Sequence, residues 1–262
     1  MDFTWYALRA APRSRRDLAW RALVAVASAI AAAILIAACG GDDDGGSAER
    51  LQLRYDFKTG ANGWEAGFTD FHEGMELELE SGIAPLPQSL GEQGTGFRLK
   101  GINRSDDLFM FLKRQVGPAE GLVPDQAYRV SYRLVIASDA PTGCAGVGGA
   151  PGESVYLKAG ATVTEPEAIL RDGFWEITID KDNQSSGGRD AWLVGDIANG
   201  IDCEEALAAG QPHKSIERTY THDTPVRADG NGRLWLIVGT DSGFEGLTEL
   251  FYQVIEVTLT PA

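Results

Sequence analysis

Beyond residue 50 apolar and polar positions alternate with a period of two, which is the signature of strands buried on one face. Leu51 to Phe57 (LQLRYDF), Met75 to Glu80 (MELELE) and Gly96 to Ile102 (GFRLKGI) show it, the second with a wet acidic face. Ala127 to Ala137 (AYRVSYRLVIA) sets Tyr128, Val130, Tyr132, Leu134 and Ile136 on one face. Trp64 to Phe71 (WEAGFTDF) reads as a second strand or an edge segment. Leu108 to Val116 (LFMFLKRQV) opens apolar on both faces, which predicts a central strand covered on both sides. Ser154–Thr164, Phe174–Ile179, Arg233–Gly239 and Leu250–Leu259 complete the strands. Turn chemistry separates them at Lys58–Gly63, Asn103–Asp107 and Asp241–Gly246, and Pro85 and Pro87 interrupt the chain after the acidic strand. Between Lys181 and Tyr220 the pattern weakens, Asp180–Gly188 has loop composition, and Asp202–Ala209 suits one short helix. The set predicts an all-β fold, a sandwich or jelly roll, with a closed barrel as the other arrangement it allows.

The first 38 residues follow a different pattern. Arg9, Arg13, Arg15, Arg16 and Arg21 precede an uncharged run from Leu23 to Ala38. That run is shorter than the ~20 residues a membrane span needs and suits the apolar region of a secretory signal. Its end, Ile36-Ala37-Ala38-Cys39, resembles the lipobox of bacterial lipoproteins. The resemblance implies that residues 1–38 are removed and that Cys39 carries a diacylglycerol thioether, so that the partner is a membrane. Residues 39–50, which after Cys39 run Gly-Gly-Asp-Asp-Asp-Gly-Gly, read as a flexible acidic linker, and 51–262 as one β-sandwich domain. The expected location is the cell envelope. Gly40 stands where an aspartate would resemble an inner-membrane retention signal, which favours the outer membrane if the source is Gram-negative.

Charge and cysteine count narrow the partners. The chain holds 23 basic and 38 acidic residues; without the five arginines and two aspartates of residues 1–38, 18 and 36 remain, a net charge of −18. Binding phosphates needs a basic footprint, so nucleic acid is not an expected partner. With Cys39 assigned to lipid, Cys144 and Cys203 remain in an oxidising setting, where a disulfide is expected and two free thiols are the alternative.

Enzymatic signatures are missing: there is no HExxH, GxSxG or P-loop, and His72, His213 and His222 show no ligand spacing. No catalytic residue or resident cofactor is expected. Gly143–Gly152 is glycine-dense but lacks the helix and lysine of a phosphate cradle. Asp180-x-Asp182 and Asp229-Gly230-Asn231-Gly232 have calcium-loop flavour, but Ser185 and Ala191 replace the glycine and glutamate of the first, and plain turns explain both. A structural calcium is the one metal these loops leave open. Trp175 and Trp235 lie within alternating strands and read as core. Trp64, after a turn, and Trp192, after Arg189-Asp190, are the tryptophans that could stack on a sugar. The alternative is that they cap the ends of the core.

YDF…GANGWEAGF at the start and RLWLIVGTDSGFEGLTELFYQVIEVTL at the end resemble the first and last strands of galactose-binding-like jelly rolls, carbohydrate-binding modules among them. Gln253 stands where that family often has an acidic residue, against a carried-over calcium site. GVGGAPGESVYLKAGAT is similar to bacterial lipoproteins of no assigned activity. The resulting expectation is a lipid-anchored sandwich binding a glycan or other envelope ligand through Trp64, Trp192, Asp190 and the turn with Asn103, Asp106 and Asp107. An assembly lipoprotein contacting another envelope protein is the alternative, and a hydrolase follows it.

Overall fold

A computed structural model describes residues 49–104 and 107–262. The expected signal, Cys39 and the linker through Ala48 lie outside the described residues, as does Asp106.

The chain is an antiparallel β-sandwich. One sheet contains β4 (Glu80–Pro85), β5 (Thr95–Ile102), β7 (Ala127–Ser138), β12 (Lys214–Thr221) and β15 (Leu247–Pro261), in the order β12-β7-β15-β5-β4. To it are added β1 (Leu51–Asp56) on β15 and β13 (Val226–Arg227) on β7. The other sheet runs β11-β8-β14-β6-β2, from β2 (Glu65–Thr69), β6 (Leu108–Val116), β8 (Val155–Thr162), β11 (Trp192–Asp196) and β14 (Leu234–Ser242). A third, small sheet joins β3 (Phe71–His72), β9 (Ala168–Arg171) and β10 (Phe174–Ile177). The short helix α1 spans Cys203–Ala208, as the sequence predicts.

Side-chain parity builds the core. Tyr128, Val130, Tyr132, Leu134 and Ile136 of β7 face Leu108, Met110 and Leu112 of β6 and Leu234, Leu236 and Val238 of β14 in one cluster. The opposite face of the five-stranded sheet is also dry. Phe109 and Phe111 of β6 and Ile237 of β14 pack there against Ile177, Ile179 and Ala191. This is the double coverage that the apolar run of β6 predicts. The chain from Ile177 to Ala191 therefore lies over the sheet's outer side. Gly160 on β8 permits the approach, since a Cβ there would stand 1.9 Å from the carbonyl oxygen of Asp190.

Two expectations change. Met75–Leu79 is not a strand: Glu78 adopts a left-handed backbone (φ 49°), which takes the segment out of the ladder, and β4 begins only at Glu80. Leu77 is nonetheless buried, so the alternation reports burial and not pairing. The weakly patterned stretch 181–220 carries β11 and most of β12. Cys144 and Cys203 are joined in a disulfide, with Cα atoms 5.1 Å apart, tying the loop after β7 to the first residue of α1.

Candidate functional site

Burial redistributes the residues expected to bind a ligand. Trp64 is 2% exposed, its ring edge-on to Tyr55 at 5.5 Å. Trp192 is also 2% exposed, donates its indole N–H to the Arg189 carbonyl at 3.1 Å, and stacks on His222 at 3.8 Å. Both indoles close the core, because more apolar area leaves water that way than by lying on the surface. Asn103 is buried and donates its amide to the carbonyls of Ser242 (2.8 Å) and Phe244 (3.0 Å), pinning the turn before β15. Asp190 pairs with Arg189 at 2.8 Å and accepts the backbone N–H of Asp180. Trp64, Trp192 and Asn103 thus hold separate parts of the fold together, and the expectation that they share an exposed ligand face is corrected. Asp180 and Asp229 accept backbone N–H groups of their own loops, which are the turns that plain geometry predicts.

Asp107 belongs to a charged cluster that no sequence spacing announces. Lys181 lies 2.9 Å from Asp70 and 2.8 Å from Asp241, and Lys158, fully buried on β8, lies 3.4 Å from Asp241. Lys158 also donates to the carbonyls of Lys181 (2.9 Å) and Ser186. Burial pushes the Asp107 carboxyl up to about 8, reinforced by its hydrogen bond to Asp241. Burial opposes the charge on Lys181, but Asp241, Asp70 and Asp107 outweigh it and raise its pKa. Burial also raises the Asp70 carboxyl, opposed by Lys181, and lowers the Lys158 ammonium, opposed by Asp241. Asp70, Asp107 and Asp241 present oxygens within 4.8 Å of one another, a spacing a cation could use. Here the lysines supply that positive charge, and the cluster fastens residues 181–186 to the sheet.

One aromatic faces the other way. In β14, Leu234 and Leu236 enter the core, so Trp235 points outward, beyond the part of the sheet covered by residues 177–191. It is half-buried. Gln115 on β6 and Thr162 on β8 stand directly opposite it on its two neighbouring strands. The Lys113 ammonium lies 5.2 Å from the centre of its ring and 2.5 Å from Glu165. Thr162 also borders an open pocket of about 300 Å³ with Arg189, Asp190, His222 and Arg227. Burial would raise the Asp190 carboxyl, but hydrogen bonds from Arg189, the Asp180 backbone and Thr162 outweigh it and hold it below its usual range. Burial lowers the His222 pKa, opposed by Asp223. This end of the sheet therefore joins an indole to an amide, two carboxylates, a hydroxyl and three cations. The sequence signal for Trp235 is the parity of RLWLIVG, which places it on the opposite face from Leu234 and Leu236; the expectation that it is core is corrected.

No protein-family model matches this chain, and no curated protein matches it. Several solved structures are similar. A carbohydrate-binding module from the β-sandwich superfamily shares 10% identity over 79% of this chain and 60% of its own, at a TM-score of 0.37. A carbohydrate-binding module described for specific mannan recognition shares 12% identity over 80% of this chain and 98% of its own, at 0.35. The enzymatically active domain of bacteriophage CBA120 tailspike protein 4 shares 9% over 79% of this chain, which spans only 20% of it, at 0.37.

Proposed function

We propose that this chain is an exported, lipid-anchored envelope protein whose sandwich binds a glycan at the Trp235 end of the five-stranded sheet. The observation that carries the binding reading is Trp235 itself, the indole turned away from the core with Gln115, Thr162 and the Lys113–Glu165 pair beside it. A sugar ring offers C–H groups to an aromatic face and hydroxyls to amides and carboxylates, and both kinds of partner meet here. The anchor rests on the lipobox and on the acidic linker that follows Cys39. The test is titration of the exported protein with a panel of polysaccharides, read by tryptophan fluorescence. Saturable binding to one glycan class, weakened at least tenfold by Trp235→Ala with the melting temperature unchanged, supports the reading. Silence across the panel, or undiminished binding by the variant, overturns it.

A further inference from the structure

At the disulfide end of the molecule a second concavity, of about 370 Å³, opens between α1, the loop after β7 and the start of β15. Its wall is apolar: the Cys144–Cys203 disulfide, Pro141, Phe244, Leu207 and Leu247. Leu207 and Leu247 are 61% and 52% exposed, so two leucines stand in water at the mouth of one cavity. Its charged groups are acidic. Asp139 and Glu249 line it. Glu249 is shared with Arg98 at 3.3 Å. Burial raises the Asp139 carboxyl, opposed by His213 and a backbone hydrogen bond. Thr248 also lines the cavity, and its hydroxyl, although buried, has no hydrogen-bond partner among the described residues. Cavities of roughly 300–1,000 Å³ with apolar walls and a few convergent polar groups are what small ligands occupy.

From this cavity and its acidic lining we infer a binding site for a small cation with an apolar body, an aryl or alkyl amine. The apolar part lies between the disulfide and the two leucines. The ammonium meets Asp139 and Glu249, and an ammonium-to-carboxylate hydrogen bond is among the stronger contacts available. The net charge of −15 adds long-range attraction for a cation. The site is independent of the Trp235 surface.

The test is calorimetric titration of the intact protein with 2-phenylethylamine and, separately, with 2-phenylethanol, which keeps the apolar body and drops the charge. The amine is expected to bind at least tenfold more tightly than the alcohol. Leu247→Arg, a change at an exposed position, is expected to weaken the amine at least tenfold, and Trp235→Ala to leave it unchanged. Amide shifts on adding amine should centre on Leu207, Leu247 and Thr248. Equal affinities, no heat from either probe, unchanged binding by Leu247→Arg, or shifts centred elsewhere would each overturn the site.

Discussion

Lys181 shows how one side chain can hold a covering segment in place. It reaches Asp70 and Asp241 at under 3 Å and lies 5.2 Å from the Phe109 ring, so it bridges the charged cluster and the dry outer layer. Removing one partner of a buried ion pair leaves an uncompensated charge, which costs about 3–5 kcal/mol. Lys181→Met should lower stability by that order, measured by urea unfolding. Asp107 adds a pH dependence of known sign. Its folded-state pKa, about 8, is above its unfolded value near 3.8, so the folded state holds the extra proton between them. The stability from this group is fully present below pH 3.8 and is lost as pH rises toward 8. Asp107→Asn should flatten that fall, and the variant's melting temperature should gain on the parent's steadily from pH 5 to pH 8. None of this was legible in the sequence. Asp70, Asp107, Lys158, Lys181 and Asp241 are far apart along the chain and meet only because β8 and β14 pair and three separate segments, at Asp70, Asp107 and Lys181, fold against them.

At the scale of elements, parity read more of the fold than spacing did. β7, β6 and β15 follow from alternation or from an unbroken apolar run, because a strand's faces are fixed by its period. Met75–Leu79 fails because burial of Leu77 can be met by an irregular backbone, and nothing in MELELE signals the left-handed Glu78. Trp235 needed only the comparison with Leu234 and Leu236, whereas Trp64 and Trp192 were drawn to the surface by their turn-rich neighbourhoods. The loop after β7 reads as irregular and α1 as a short helix, and the disulfide is what gives them a fixed place. Cys144 and Cys203 are 59 residues apart, and closing a loop of that length restricts the unfolded chain by about 4 kcal/mol on the chain-entropy account. The Cys144→Ser, Cys203→Ser double variant should lose stability of that order in denaturant.

For the whole molecule, the export reading makes a prediction that the sandwich does not depend on. Cys39→Ser should abolish incorporation of labelled palmitate and release the protein from the membrane fraction, with the released domain keeping the parent's melting temperature. The other whole-molecule consequence comes from the chain that lies over β6, β8 and β14. A bare sheet face of five strands would offer a trough in which several sugar rings could lie in a row. Here Ile177, Ile179 and Ala191 fill that trough with the protein's own chain, and the indole of Trp235 is left at its rim. On the proposed glycan reading, a surface of that shape would suit tips and branches, not the run of a polymer. Affinity for a series of oligosaccharides should therefore stop rising after about two rings, and a long unbranched chain should bind in proportion to its number of ends.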